Sequence, residues 1–468
     1  MTTTDCFEPR PLNESLVDEF ISVVGADHVL LGDDLTAGFS IDWTGRFRGR
    51  AACVVRPAST DHVARIVAAC ARTGTPLVPQ GGNTGMVGGG VPLHGEVVMH
   101  LGRLDHMEPV DRVSSQVTVG AGVTLARLHG HAAAAGLAFG VDLGPRESCT
   151  IGGMIATNAG GINVLRYGMM RQQVMGIEFV MGDGSVISHL SGLAKDNTGY
   201  DLAGLLVGSE GTLGVVCRAR LRLVPATPER ATALLGVADF AAAVETATIL
   251  RERLDHLVAL EVMSADGVNL VCEELLGHRP SIEALAAPIV LLVELAAGSD
   301  PLDELIEAVD GLPLVTEPAL AGSPEQRRRL WMIRERHAEA IARRGRPVKL
   351  DVSVPLPAMA AFVASVGRLL PSDLGVIVFG HILDGNLHVN VTGVDESDET
   401  RTRRVEEIVL GEVVRVGGSV SAEHGIGAAK AEYLSWCRSP AEIAAFRAIK
   451  AGLDPASIMN PSVLLAGR

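Results

Sequence analysis

Apolar positions along the chain fall into two textures. Up to about residue 225 they form short runs cut by glycine, the signature of brief strands and helices joined by tight turns. Cys53-Val54-Val55 reads as a strand, and Thr60–Thr73 as a helix with Ser59 or Thr60 at its N-cap. Pro76-Leu77-Val78-Pro79 follows as a strand entering a glycine loop. Val174–Val180, an Asp183-Gly184 turn and Val186-Ile187 predict a β-hairpin. Pro225-Ala226-Thr227-Pro228 marks a boundary. Beyond it glycine thins and strands alternate with helices. Residues 232–237, a helix to about Arg253 and a strand at 256–263 predict one β-α-β unit. Residues 289–295, a helix from Pro301 and a strand near Leu314 predict another, and the whole reads as a separate α+β domain. A long helix at 325–344 leads into a strand at 348–354, and strands at Gly375–His381 and 387–391 flank the turn residues Asp384-Gly385-Asn386.

Length and composition narrow the class. With 468 residues, 47% hydrophobic and 20% charged, the chain has apolar surface for two or three cores. Aromatics at 3% and a formal charge of -15 argue against nucleic acid as a partner. The cysteines (Cys6, Cys53, Cys70, Cys149, Cys217, Cys272 and Cys437) are scattered and odd in number, without a Cys-x-x-Cys pair. They predict neither a disulfide framework nor an iron–sulfur site, but a reducing compartment. Met1-Thr2-Thr3-Thr4-Asp5 lacks the pattern of a secretory signal. The most apolar run, around Ile289-Val290-Leu291-Leu292-Val293, contains Glu294 and reads as a buried strand rather than a membrane span. A cytoplasmic protein is expected, with peripheral membrane contact left open.

Glycine numbers 53 and clusters in the first half. Pro79-Gln80-Gly81-Gly82-Asn83-Thr84-Gly85-Met86-Val87-Gly88-Gly89-Gly90 follows a predicted strand, and residues without side chains let backbone N–H groups approach a pyrophosphate. The run fits neither Gly-x-Gly-x-x-Gly opening a long helix nor a phosphate loop ending in Gly-Lys-Ser/Thr, and an ordinary loop has the same composition. Two further segments join it: Leu143 to Gly161, containing Gly144-Pro145-Arg146-Glu147-Ser148-Cys149-Thr150-Ile151-Gly152-Gly153, and Lys195 to Leu202 leading into Gly208-Ser209-Glu210-Gly211-Thr212-Leu213-Gly214-Val215. In this order and spacing they resemble the FAD-binding half of the vanillyl-alcohol-oxidase/PCMH flavoprotein superfamily. The resemblance implies that Pro79 and Gly81, Gly82, Asn83, Thr84, Gly85 and Met86 wrap the pyrophosphate. It places Gly144, Ser148, Gly152, Gly153, Thr157 and Asn158 along the isoalloxazine and ribityl side, Gly211 and Val215 at the adenine end, and Asn460 among the cofactor contacts. The 79–90 loop has no histidine or cysteine, which argues against a covalent flavin link there.

The last hundred residues carry different chemistry. Period-two alternation in the second strand of the 375–391 hairpin puts His388 and Asn390 on the face opposite Leu387, Val389 and Val391, within reach of His381 across the ladder. Two imidazoles and a carboxylate can hold a divalent metal with a position open for substrate, Glu423 being the best third ligand among tightly turning glycines. A hairpin of hydrogen-bonded polar residues without metal is the alternative. Phe379-Gly380-His381, Asp384 to Asn390 and Ser419-Val420-Ser421-Ala422-Glu423-His424-Gly425 resemble the C-terminal half of FAD-linked D-2-hydroxyacid dehydrogenases, most of all the D-2-hydroxyglutarate dehydrogenases. The likeness runs from about Asp42-Trp43 to Asn460-Pro461. It implies an α+β fold: a PCMH-type FAD-binding domain of two subdomains at 1–226, a substrate or cap domain with a ferredoxin-like antiparallel sheet at 227–415, and a segment at 416–468 completing the active site.

The same resemblance implies His381, His388 and Glu423 as metal ligands and His424 as base and substrate contact. The metal, zinc by ligand type though manganese, iron or cobalt also suit the set, would orient the hydroxyl and carboxylate of a D-2-hydroxy acid. An imidazole with its ordinary pKa near ~6.5 suits proton abstraction, and hydride would pass from C2 to flavin N5. Nine basic side chains stand between Arg327 and Lys349, mostly the marks of a solvated helix face. Arg334 and Lys349 match the family's substrate-binding segments, and Asn390 joins them. Where hydroxyglutarate enzymes carry a threonine four residues after Arg334, this chain has Ala338. A lost hydrogen bond to a charged group costs about 1.5–3 kcal/mol, which brings D-lactate and D-malate into consideration. A flavin alcohol oxidase and a non-catalytic electron-transfer subunit are the competing functions. The expected electron acceptor is an electron-transfer flavoprotein, a quinone or a cytochrome, and a homodimer is left open.

Overall fold

The computed structural model describes residues 12–465, so Cys6 and the first five residues lie outside the described residues. The chain forms two compact units. One runs to Gly161, resumes at Tyr167–Pro225 and closes with the segment from Glu423. The other comprises Ile162–Arg166 and Ala226–Ala422.

The first unit holds two four-stranded sheets. In one, Cys53–Val55, Val97–His100 and Leu77–Gln80 run parallel and Val29–Leu30 pairs antiparallel at the edge. The helix Thr60–Thr73 makes the crossover. Ser59 caps it through the His62 N–H, Gly74 ends it in the left-handed region, and Val63, Ile66, Val67 and Cys70 bury one stripe. The other sheet is antiparallel, in the order Gln116–Gly120, Val215–Arg222, Val174–Val180, Val186–His189. Its hairpin turns at Asp183, whose Oδ1 accepts the Ser185 N–H at 2.8 Å.

The second unit is built on a seven-stranded antiparallel sheet. Its order is Ala319–Ala321, Glu229–Val237, Ile289–Ala297, Leu257–Ser264, Gly375–His381, Asn386–Thr392, Val348–Ser353. Ile289–Ala297 is buried at every position, which explains its unbroken apolar run. Glu294 within it is neutralised by Arg230, by the Thr232 hydroxyl at 3.0 Å and by the Trp331 indole N–H at 2.6 Å.

Four details depart from the sequence expectation. The strand expected near Leu314 is Ala319–Ala321: the stretch before it turns on itself through the Leu314 N–H on the Leu312 carbonyl and touches the neighbouring strand through the Val315 N–H on the Gly236 carbonyl, and ladder pairing begins at Ala319. The helix expected over 325–344 is two, Pro324–Glu335 and His337–Arg343. Arg336 leaves helical geometry, and the His337 ring, not its backbone, meets the Ile333 carbonyl at 2.8 Å. The second domain edge falls after Ala422 rather than at 415, since residues beyond the helix Glu399–Arg415 return to pair Ser419 with Ser353. Ile162–Arg166 joins the second unit because Arg166 donates to the carbonyls of Ala296 and His256. Among the described residues no cysteine forms a disulfide, and no helix is long and apolar enough to cross a membrane.

Candidate active site

In the first unit the glycine run leaves the carboxyl end of Leu77–Gln80, the end of a parallel sheet where ligands are received. The loops singled out in the sequence meet there. A Cβ on Gly81 would stand 2.3 Å from the Thr150 hydroxyl, and one on Gly82 would stand 1.8 Å from the Ser148 carbonyl oxygen. Gly208 and Glu210 donate N–H groups to Ile155 and Ala156 at 3.0 and 2.8 Å, and Gly211 lies against Pro79.

The glycines of this cradle divide by cause. Gly81, Gly82 and Gly152 are required by protein packing, whereas Gly85 and Gly144 are exposed, carry no positive φ and face open space. Bare backbone with nothing of the protein against it is what close approach of a pyrophosphate or a flavin edge needs. The residues present therefore fit FAD. Thr84, Met86 and Gly153 are half-buried on the same rim and Ser148 is exposed on it. Asn83 and Asn158 are left-handed and brace it through the Ile41 carbonyl and the Arg171 N–H, and the Thr157 hydroxyl bonds the Gly153 carbonyl. Val215 is fully buried in the core, which leaves only its backbone for a cofactor. Asn460 is also buried, its amide spent on the carbonyls of Gly89 and Glu210 at 2.9 and 2.7 Å, so it binds loop to loop.

These causes separate in an experiment. Gly82→Ala is expected to destabilise the flavin-free protein by about 1–3 kcal/mol through overpacking. Gly85→Ala should leave denaturant unfolding within ~0.5 kcal/mol and instead lower flavin content.

In the second unit, strand register assembles the other predicted residues on one sheet face. Glu261 pairs with His381 and His381 with Asn386; Phe379 pairs with His388 and His388 with Asp351; Ile377 pairs with Asn390 and Asn390 with Lys349. These are successive same-face rows of a period-two lattice. His381 and His388 stand edge to face with ring centroids 5.7 Å apart. Each Nδ1 is turned to a buried carboxylate: His381 to Glu261 at 2.6 Å, and His388 to Asp351 at 3.5 Å. A carboxylate hydrogen-bonded to Nδ1, as Glu261 is to His381, selects the tautomer whose Nε2 carries the lone pair, the arrangement that backs metal-binding imidazoles. The donor set present fits a divalent metal.

Arg334, buried, brings Nε and Nη2 to the other Glu261 oxygen at 2.7 Å each and lies 4.8 Å over the Phe379 ring. Burial alone would raise the Glu261 carboxyl, but the charges and hydrogen bonds of His381 and Arg334 overcome it and hold the group at about 2. Burial, then Arg334, pushes the neighbouring His337 down to about 3, so that ring is a neutral spacer. Burial and then Arg346 lower Lys349, a half-buried ammonium that an incoming anion would stabilise. Other cations of the basic run form exposed pairs with Glu325, Glu339, Glu273 and Glu274. Glu423 and His424 belong to the first unit, where Glu423 Oε1 accepts the Gly161 N–H at 3.1 Å.

Glu261 and Asp351 were missed as functional residues. The signal was a lone acid inside the apolar strand 257–263, and an acid two places from Lys349 on an alternating strand.

The FAD binding domain model matches residues 51–189, and the model of the C-terminal domain of FAD linked oxidases matches residues 226–464. The chain belongs to the FAD-linked oxidase family and is an FAD-dependent oxidoreductase. Within that family it is similar to D-2-hydroxyglutarate dehydrogenases. The mitochondrial enzyme of that name from Bos taurus is 38% identical over 434 residues, covering 91% of this chain and 79% of that protein. The one from Xanthomonas citri pv. viticola is 37% identical over 435 residues, 90% and 91% of the two chains. p-Cresol methylhydroxylase, solved with substrate bound, matches with a TM-score of 0.77 over 98% of each chain at 16% identity, which establishes the shared fold.

Proposed function

We propose that the protein oxidises a D-2-hydroxy acid, D-2-hydroxyglutarate foremost, to the 2-oxo acid, with His381, His388 and Glu423 holding a divalent metal and His424 as base. The observation that carries this reading is the imidazole pair on one sheet face, His381 hydrogen-bonded to Glu261 and His388 with Asp351 3.5 Å from its Nδ1. Its support from relatives is that the Bos taurus and Xanthomonas proteins are named for this substrate. Bound FAD supplies a two-electron acceptor and the metal a Lewis acid towards the hydroxyl and α-carboxylate oxygens. Arg334 keeps donors beyond the two spent on Glu261, since a guanidinium has five N–H groups, and offers them to a substrate carboxylate. Lys349 and the amide of Asn390, cross-strand neighbours, bind the remaining oxygens. His424 takes the hydroxyl proton on a ring nitrogen.

Ala338 favours a second reading, a shorter substrate such as D-lactate or D-malate, because this exposed helix position has no hydroxyl to offer a distal carboxylate. One experiment separates them. Under anaerobic conditions D-2-hydroxyglutarate is expected to bleach the flavin band while the L isomer does not, and the order of rates across D-2-hydroxy acids names the substrate. A flavin that stays oxidised with all of them, and yields stoichiometric peroxide with an alcohol under air, would establish an alcohol oxidase instead.

A further inference from the structure

Residues 423–430 of the first unit contain neither helix nor strand, so individual bonds set the path of the chain that carries His424. Just past the histidine, the Ile426 N–H donates to Glu210 Oε1 at 2.9 Å and the Gly427 N–H to Glu210 Oε2 at 2.7 Å. The next two N–H groups, of Ala428 and Ala429, both reach the Val87 carbonyl in the glycine run, at 2.9 and 3.1 Å. Gly425 has φ +82°, and a Cβ there would meet the Glu210 carboxyl carbon at 2.9 Å, so only glycine lets the carboxylate lie against this turn. Glu210 is buried, itself left-handed at φ +52°, and fastened from behind by the Asn460 amide on its carbonyl.

We propose that Glu210 is a positioning residue for proton abstraction: its two carboxylate oxygens bolt the His424 segment to the cofactor cradle and so fix where the imidazole stands. The role rests on the reading of His424 as base. The Lys430 N–H on the Ile426 carbonyl at 2.9 Å and the Leu464 N–H on the Gly427 carbonyl at 3.1 Å add to the fixing of this turn, and an orientation error of about 1 Å at a reacting group costs on the order of 10²-fold in rate. Both oxygens accept, an arrangement the ionised form satisfies best. Burial pushes the Glu210 carboxyl up, and the Ile426 and Gly427 N–H groups, with the charge of Lys430, oppose that. Glutamine would turn an NH2 towards one of the two donors, and aspartate would withdraw both oxygens by a methylene.

The test is a double-mutant cycle on the holoenzyme. Flavin reduction by D-2-hydroxyglutarate is followed anaerobically in wild type, E210Q, H424A and E210Q/H424A. E210Q is expected to slow reduction at saturating substrate by ~10²-fold with KM within ~3-fold, and to add less than ~3-fold in the H424A background, because residues acting as a unit are not additive. Hydrogen exchange of the 423–430 peptide should quicken in E210Q while that of 348–353 does not. A second full ~10²-fold loss in the double variant would overturn the proposal, as would wild-type exchange at 423–430. A wild-type rate in H424A alone would remove the base assignment, and the role of Glu210 with it. If E210Q fails to hold flavin, E210D enters the same cycle with the same expectation.

Discussion

His388→Ala is expected to abolish metal retention and to slow flavin reduction by D-2-hydroxyglutarate on the order of 10³-fold, because a Lewis acid contributes several kcal/mol to such a step. The ring is one of two imidazoles on the sheet face, with Asp351 3.5 Å from its Nδ1. Alanine leaves the strand Asn386–Thr392 paired on both sides, so the second unit keeps its sheet. His388 lies outside the FAD binding domain match at residues 51–189, so the variant should purify yellow. Metal analysis and the reduction rate check the two halves of this prediction separately. A variant that keeps stoichiometric metal and wild-type reduction would remove His388 from the site.

His424→Ala is the second large effect. A positioned general base is worth ~10²–10⁴-fold, and that loss should fall on the reduction rate at saturating substrate. Glu423 is fixed through the Gly161 N–H and the chain beyond His424 through Glu210, so neither anchor uses the imidazole. Metal content, flavin content and thermal stability are therefore expected to stay at wild-type levels. Loss of metal alongside activity would make His424 a ligand rather than a base.

The two substitutions divide along a line the sequence drew only in part. Strand alternation was enough to place His388 with Asn390 on one face, because the period-two rule is local and both residues lie on one strand. Glu261 and Asp351 were harder to see as functional. Their roles arise from pairing between strands far apart in the chain, such as 257–264 against 375–381, which no single window contains. The break at Arg336 was hidden for a similar reason: the residues on both sides are good helix formers, and it is the buried His337 ring on the Ile333 carbonyl that interrupts them. The glycine clusters pointed to a cofactor cradle through the family resemblance of their order and spacing, since an ordinary loop has the same composition. Composition could not separate Gly82, demanded by the Ser148 carbonyl, from Gly85, which faces open space. Val215 and Asn460 followed the family pattern, yet their side chains are committed to the core and to loop carbonyls.

The central claim is that metal and flavin serve one substrate. It is tested most directly by stripping the holoenzyme with a chelator, restoring zinc stepwise, and following anaerobic bleaching by D-2-hydroxyglutarate. The account predicts a reduction rate that rises in proportion to bound metal and saturates at one ion per chain. Bleaching at the full rate in metal-free protein would contradict it.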